Sequence, residues 1–283
     1  MEHSDLAVQI NANGGHRGVS AIVLNWNELH VVKGTIEFLN QETLIDEIIL
    51  VDNGSRDGSP EYFTHLSKRR EYVERVRTVL LNKNYGSSIG RNVGLGLASR
   101  ESIFLIDGDI LYVPGTIPFY QKILDSYPEC GCVGYNDYER VQATGMNGTA
   151  NYKEAQTVMQ STVQLSKWFP MAWTQYGLFR GDLLRKLQFV TEGCFGECGH
   201  GYEDDWLYHA MEQEGYYSIA VNAPLYYHDG HYSLRLMQEM NLSDRGEERA
   251  KLFYAKWGEG NGWRERMGTI PYQEKRPFRV YPS

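Results

Sequence analysis

The sequence predicts an α/β protein with a single, mostly parallel central sheet flanked by helices, and three observations point to it. Short apolar runs recur at Val19–Leu24, Glu47–Val51, Val76–Leu81 and Ile103–Ile106, each of strand length. Between them, apolar residues fall at helical spacing, as at Val32, Ile36 and Leu39. Each run ends in polar or acidic residues. Alternating strand and helix implies parallel pairing through right-handed crossovers, and the strand ends then share one crevice where a ligand binds.

Residues 1–17, rich in Asn, Gly and His without periodicity, read as a flexible leader. Val19–Leu24 is the first strand and runs into Asn25-Trp26-Asn27, after which a helix covers about residues 28–40. Glu47–Val51 is the second strand, ending in Asp52-Asn53-Gly54-Ser55-Arg56-Asp57-Gly58-Ser59. Val76–Leu81 is the third, followed by Asn82-Lys83-Asn84-Tyr85-Gly86-Ser87-Ser88. Ile89, Val93 and Leu97 then make one side of a helix whose other side carries Arg91 and Asn92. The fourth run, Ile103–Ile106, stops at Asp107-Gly108-Asp109. Pro114 suits the start of a helix reaching Tyr127, and Cys132–Tyr135 reads as a strand. Residues 136–160 show little periodicity and read as a loop or ragged hairpin. The aromatic stretch Trp168–Phe179 reads as one strand returning to the sheet, with a helix near 181–188. Gly193–Tyr202 is a glycine-rich turn feeding Glu203-Asp204-Asp205, which opens a helix stopped at Gly215. A strand at Tyr217–Val221, the segment Leu225–His228, a helix over Asp244–Trp257 and an extended arm complete the chain.

Composition narrows the class. Of 283 residues, 42% are hydrophobic and 23% charged, ordinary for a globular protein with a sizeable core. A net charge of -8 argues against a non-specific polyanion binder. The 20 Tyr and 6 Trp suit carbohydrate or nucleobase faces and core packing equally. No apolar run reaches bilayer length and the N-terminal residues lack a signal peptide's pattern, so a cytoplasmic location is expected, with Cys130, Cys132, Cys194 and Cys198 as thiols. A zinc site from these four with His200 would use spacings that match no standard zinc knuckle.

Two acidic groups carry the chemistry. Asp107 and Asp109, separated by a glycine at a strand end, either solvate that end or converge on a hard divalent cation shared with substrate phosphates. Gly90, Gly94 and Gly96 lie too late in their helix for a dinucleotide fingerprint, and no phosphate-cradling lysine loop occurs. Glu203-Asp204-Asp205 either offsets a helix macrodipole or supplies a proton acceptor for a hydroxyl. His228 is either a structural hydrogen-bonding residue or a further metal ligand.

Asn25-Trp26-Asn27, Asp52 to Ser59, Asn84-Tyr85-Gly86 with Arg91-Asn92, Asp107-Gly108-Asp109, Gly201-Tyr202-Glu203-Asp204-Asp205 and the later His228 together resemble glycosyltransferase family 2 with the GT-A fold, over roughly residues 19–230. The resemblance implies an inverting sugar transfer from a nucleoside-diphosphate sugar, a UDP-sugar foremost, with Mn2+ or Mg2+. On it, residues 18–113 form a nucleotide-sugar-binding half, 114–230 an acceptor half and 231–283 a C-terminal helix and arm. Asn27, Asn84 and Gly86 are carried over as donor-binding residues. Asp52 corresponds to the acid that hydrogen-bonds the donor base, and Arg91 with Asn92 to contacts with the nucleoside. Asp107 would face ribose or sugar and lie at the metal, Asp109 would hold it, and His228 is similar to a histidine some members add. Asp204 resembles the catalytic base, with Glu203 beside it on the acceptor.

The chain departs from the family at Ile110, where a further acid is common, and in the approach Gly193–Tyr202, which lacks the usual tryptophan-glycine pattern. Asp204 and Asp205 both stay open as the base. The acceptor is a glycan, a lipid-linked glycan, a protein or, against the acidic charge, a modified DNA base; the aromatic arm after Trp257 offers a face to a second copy. Two other classes compete. A sugar-phosphate nucleotidyltransferase favours a glycine-rich basic loop where this chain has Asn25-Trp26-Asn27-Glu28, and a non-catalytic nucleotide-sugar or glycan-binding module would not depend on Asp204 for turnover.

Overall fold

A computed structural model describes residues 18–136, 162–189, 202–221, 227–228, 246–259 and 275–279. In chain order they form β1 (Val19–Asn25), α1 (Leu29–Gln41), β2 (Ile45–Asp52), α2 (Ser59–Leu66), β3 (Val76–Leu80), α3 (Ser87–Leu95), β4 (Ser102–Asp107) and β5 (Ile110–Leu111). There follow α4 (Thr116–Ser126), β6 (Cys130–Tyr135), β7 (Thr162–Lys167), β8 (Tyr176–Arg180), α5 (Gly181–Leu187), α6 (Glu203–Gln213), β9 (Tyr217–Val221), β10 (Tyr227–His228), α7 (Gly246–Trp257) and β11 (Lys275–Arg279).

One nine-stranded sheet runs in the order β11-β7-β9-β6-β8-β4-β1-β2-β3, and β10 pairs separately with β5. β1 pairs in parallel with β2 and β4, and β2 with β3, as the alternation of strand and helix predicts. Beyond β4 the pairings are antiparallel except β6 with β9, so that β7 and β8 alone run against the other strands. The central strands are buried along their length: all seven residues of β1 and the first five of β4. That continuous burial is why they read as apolar runs rather than as alternating ones.

Helix α3 covers the carboxyl-end half of β1 and β2 at close range, since a Cβ on Gly94 would lie 2.5 Å from Cγ2 of Ile22. Its glycines therefore serve helix-sheet contact. Three departures from the sequence expectations stand out. Helix α2 fills the interval between the second and third strands, where the apolar pattern predicts no element. The stretch Trp168–Phe179 is not one strand: Trp168 adopts a left-handed φ of 53°, the chain leaves β7 there, and only Tyr176 onward returns as β8. Between them Phe169 and Trp173 stack at 5.2 Å in the core, so the aromaticity that suggests a strand belongs to a buried turn. Third, part of the C-terminal arm is itself a sheet strand, β11 on β7.

The leader, residues 137–160 and the approach Gly193–Gly201 lie outside the described residues, as do Cys194, Cys198 and His200. Cys130 and Cys132 are buried thiols of β6, and burial pushes Cys130 up to about 12 and Cys132 well above its ordinary value. Among the described residues no helix is long and apolar enough to cross a membrane.

Candidate active site

The carboxyl ends of β1, β2 and β4 are tied together by short polar side chains. Asp52, at the end of β2, accepts from the N–H groups of Gly54 (3.1 Å) and Ser55 (2.9 Å) through Oδ1 and from Asn25 Nδ2 (3.1 Å) through Oδ2. It is 0% exposed, and this carboxylate shapes the turn after β2. Asn27, in a left-handed conformation at φ 59°, joins that turn to the one after β1, its N–H donating to Ser55 Oγ (2.8 Å) and its Oδ1 accepting from Arg56 N (2.6 Å). Asn53 does the same for the loop before α3: its Nδ2 donates to Asn84 Oδ1 (2.9 Å) and to Gly86 O (3.2 Å), and its Oδ1 accepts from Tyr85 N (3.0 Å). Asn53 lies inside the polar stretch that follows β2, yet nothing in its spacing marks it as the residue that knits two loops.

Asp107 ends β4, and its N–H donates to Gln175 O (3.0 Å). The glycine after it is dictated by space. Gly108 N donates to Leu24 O (2.7 Å), and a Cβ there would stand 2.6 Å from Asn25 Oδ1. Only glycine lets the Asp-Gly-Asp turn lie this close to β1. Ile110, where the family commonly has an acid, is 1% exposed in the core, and its backbone pairs with that of His228. The β5–β10 pairing thus brings the chain at His228 to the strand that begins one residue after Asp109.

Arg91 joins the two acidic groups. It projects from α3, is 3% exposed, and donates through Nη2 to both oxygens of Asp107 (2.8 and 2.9 Å) and through Nη1 to Glu203 Oε1 (3.5 Å). Ser87 Oγ donates to the same Glu203 oxygen (2.8 Å). Arg91 places both terminal nitrogens on carboxylates, while its buried Nε has no hydrogen bond among the described residues. Asn92 spends its amide on the backbone of Phe189, donating to Phe189 O (2.9 Å) and accepting from Phe189 N (2.8 Å).

Glu203, Asp204 and Asp205 fill the first turn of α6, with Glu203 and Asp205 buried and Asp204 partly exposed. Asp204 Oδ1 accepts from Thr174 N (3.0 Å) and from Thr174 Oγ1 (2.6 Å). Burial, and secondly the Glu203 charge, push Asp204 up to about 7, against the opposing pull of Thr174 and Arg91. Burial likewise raises Asp107 to about 6, with the Arg91 guanidinium opposing and the Asp109 charge adding to the rise. Asp107, Asp109, Glu203 and Asp204 thus share one electrostatic neighbourhood with a single guanidinium. Among the described residues no three His, Cys, Asp or Glu side chains form a ready metal site. A cation here would have to be held in the other common way, by one or two carboxylates completed by phosphate oxygens.

Comparison with known proteins sets this geometry in context. The chain is 31% identical over 123 residues to an undecaprenyl-phosphate 4-deoxy-4-formamido-L-arabinose transferase of Serratia proteamaculans, covering 42% of this chain and 37% of that protein. It is 34% identical over 92 residues to a cholesterol galactosyltransferase of Borreliella burgdorferi, covering 32% of this chain and 25% of that one. The matched stretches are therefore well under two thirds of those relatives' lengths. Among solved structures, the mannosyltransferase PcManGT of Pyrobaculum calidifontis, in complex with GDP-Man and Mn2+, superposes with a TM-score of 0.56 at 19% identity, covering 78% of this chain and 60% of that one. GalNAc-T7 with UDP, GalNAc and Mn2+ gives a TM-score of 0.54 at 12% identity, covering 74% and 43%. At such identities the likeness carries the fold, which is the GT-A arrangement. Residues 20–187, more than half of the chain and all of it from β1 to α5, match the profile described as Glycosyl transferase family 2, and the chain belongs to that family.

Proposed function

We propose that the protein transfers a sugar from a nucleoside-diphosphate sugar, a UDP-sugar being the first choice, to a hydroxyl of a glycan or other acceptor, with inversion at the anomeric carbon. The single observation that carries this reading is the chain Asp107–Arg91–Glu203, which joins the end of β4 to the start of α6, with Arg91 reaching Glu203 across 112 positions of sequence. It makes one site of two acidic motifs that are each ambiguous alone.

In this reading Asp204 takes the proton of the acceptor hydroxyl as the new bond to the anomeric carbon forms and the bond from that carbon to the diphosphate oxygen breaks. The electron pair of the broken bond leaves with the nucleoside diphosphate. A group raised to about 7 is suited to accept a proton near neutrality. Asp204 is favoured over Asp205 because it retains partial exposure whereas Asp205 is 5% exposed. Glu203, fixed by Arg91 and Ser87, borders the acceptor.

Four carboxylates around one guanidinium repel a diphosphate, so donor binding calls for a divalent cation, Mn2+ or Mg2+. Asp109 would hold it, with His228 as a further ligand; bound there, the ion neutralises charge on the departing diphosphate. Asp107, clamped on both oxygens by Arg91, then acts by keeping the turn and the guanidinium in register.

The test is a panel of nucleotide sugars incubated with Mn2+ and no acceptor, with slow release of nucleoside diphosphate from one of them as the expected result. With that donor's diphosphate, Asp109→Ala is expected to weaken Mn2+-dependent binding in calorimetry by more than about tenfold, since losing a ligand costs at least as much as losing the group behind one. Equal affinity with and without chelator in the wild type would remove the metal from the reading. Once an acceptor is found, proton NMR of the product's anomeric position is expected to show the configuration opposite to that of the donor.

A further inference from the structure

The turn between β7 and β8 bears no motif, yet consecutive residues of it touch both acidic groups. Thr174 is 1% exposed, and both its N–H and its hydroxyl donate to the same Asp204 oxygen, at 3.0 and 2.6 Å. One residue later, Gln175 O accepts from Asp107 N at 3.0 Å. On the other side of Thr174, Ala172 N donates to the backbone oxygen of Asp204 at 3.4 Å. The turn is held firmly from within: Trp173 stacks on Phe169, and the Tyr176 hydroxyl accepts from Val113 N and donates to Thr116 Oγ1, both at 3.2 Å.

We infer that Thr174 is the positioning residue of the proton acceptor, and that the Thr174-Gln175 dipeptide sets the distance between Asp204 and the donor-side turn after β4. The inference rests on the reading of Asp204 as base. A carboxylate has two equivalent oxygens and a soft terminal torsion, so which oxygen meets a substrate is undetermined until one is claimed. Two donors on Oδ1 claim it, and Oδ2, which has no hydrogen bond among the described residues, is the oxygen presented to an acceptor hydroxyl. A base held in this way needs no reorientation when the acceptor arrives.

The same bonds favour the ionised carboxylate. The charged or titratable groups that face Asp204 are Glu203 on its own helix, Arg91 from α3 and the Cys132 thiol from β6. Of these Glu203 disfavours the ionised form and Arg91 favours it, so Thr174 is the second group working to keep Asp204 ready to accept a proton.

Thr174→Val removes the hydroxyl donor but keeps the shape and the backbone N–H; Thr174→Ser keeps the donor. With Val, kcat is expected to fall about tenfold or more, the worth of a hydrogen bond to a charged group, with KM for the nucleotide sugar unchanged. The acidic limb of the kcat profile should move to higher pH. Ser should restore both. In the donor-free protein, a carbon-13 titration of the Asp204 carboxyl should move upward with Val and not with Ser, which a packing role would not produce. A Val variant with wild-type kcat and limb overturns the inference, and so does a Ser variant no better than Val. If Val at 174 prevents folding, Thr174→Ala makes the same comparison. An Asp204→Asn protein that still turns over normally would remove the base itself; an inactive one beside an indifferent Thr174→Val would remove Thr174 alone.

Discussion

Arg91→Met is expected to abolish transfer and to lower folding stability by about 3–5 kcal/mol, the cost of stripping the partner from buried charges. Methionine fills much of the same volume, so what is lost is the charge and its hydrogen bonds. Asp107, 28% exposed, would lose both guanidinium bonds, and Glu203 would lose its guanidinium bond. Arg91→Lys should fall between wild type and Met. An ammonium is one point charge; it has no fork with which to hold both oxygens of Asp107 while reaching Glu203. Urea unfolding of the three proteins at pH 8, beside a transfer assay, checks the order. A Met variant as stable as the wild type would mean that the Asp107–Arg91–Glu203 chain does not hold the two motifs together, and the proposed site would lose its main support.

This hub also marks how far the sequence can be read. Val19–Leu24 and Ile103–Ile106 announce themselves because strands buried on both faces need continuous apolar residues. The polar ends of those strands are equally legible, since only groups that leave the core or reach a ligand are charged there. Arg91 is visible as a charge on the polar side of α3, but a helical pattern gives the side on which a residue stands and not the partners, Asp107 and Glu203, that it finds. Asp52 is alike: its place after a strand is legible, but only the folded turn shows both its oxygens accepting from Gly54, Ser55 and Asn25. Trp168–Phe179 misleads because aromatic residues signal burial whether the backbone is extended or turning. Thr174 is invisible. A lone threonine among aromatics has no periodicity or spacing, and its meaning depends on Asp204, thirty positions away.

Asp204→Asn should separate chemistry from binding and from stability in one protein. Transfer is expected to fall by about 10²–10⁴, the usual contribution of a general base, while calorimetric affinity for the nucleoside diphosphate stays within error, because the donor-side residues are untouched. Stability should move the other way. The Asp204 carboxyl sits at about 7 when folded, above the ordinary aspartate value near 3.9. A group raised on folding favours the protonated native state: its stabilising contribution is complete below about pH 4 and is lost as pH climbs through about 7. Asparagine imitates the protonated form and keeps an oxygen for both Thr174 donors. The variant and the wild type should therefore unfold alike near pH 4, and the variant should be the more stable at pH 8. Because Glu203 and Asp204 influence each other, the wild-type rate should rise with an apparent midpoint near 7 that belongs to the pair. A rate limb that survives in Asp204→Asn and disappears in Asp205→Asn would move the proton acceptor one residue along α6. Loss of activity with no gain of stability at pH 8 would mean that Asp204 is ionised at no cost in the resting protein, and that burial does not tune it for proton transfer.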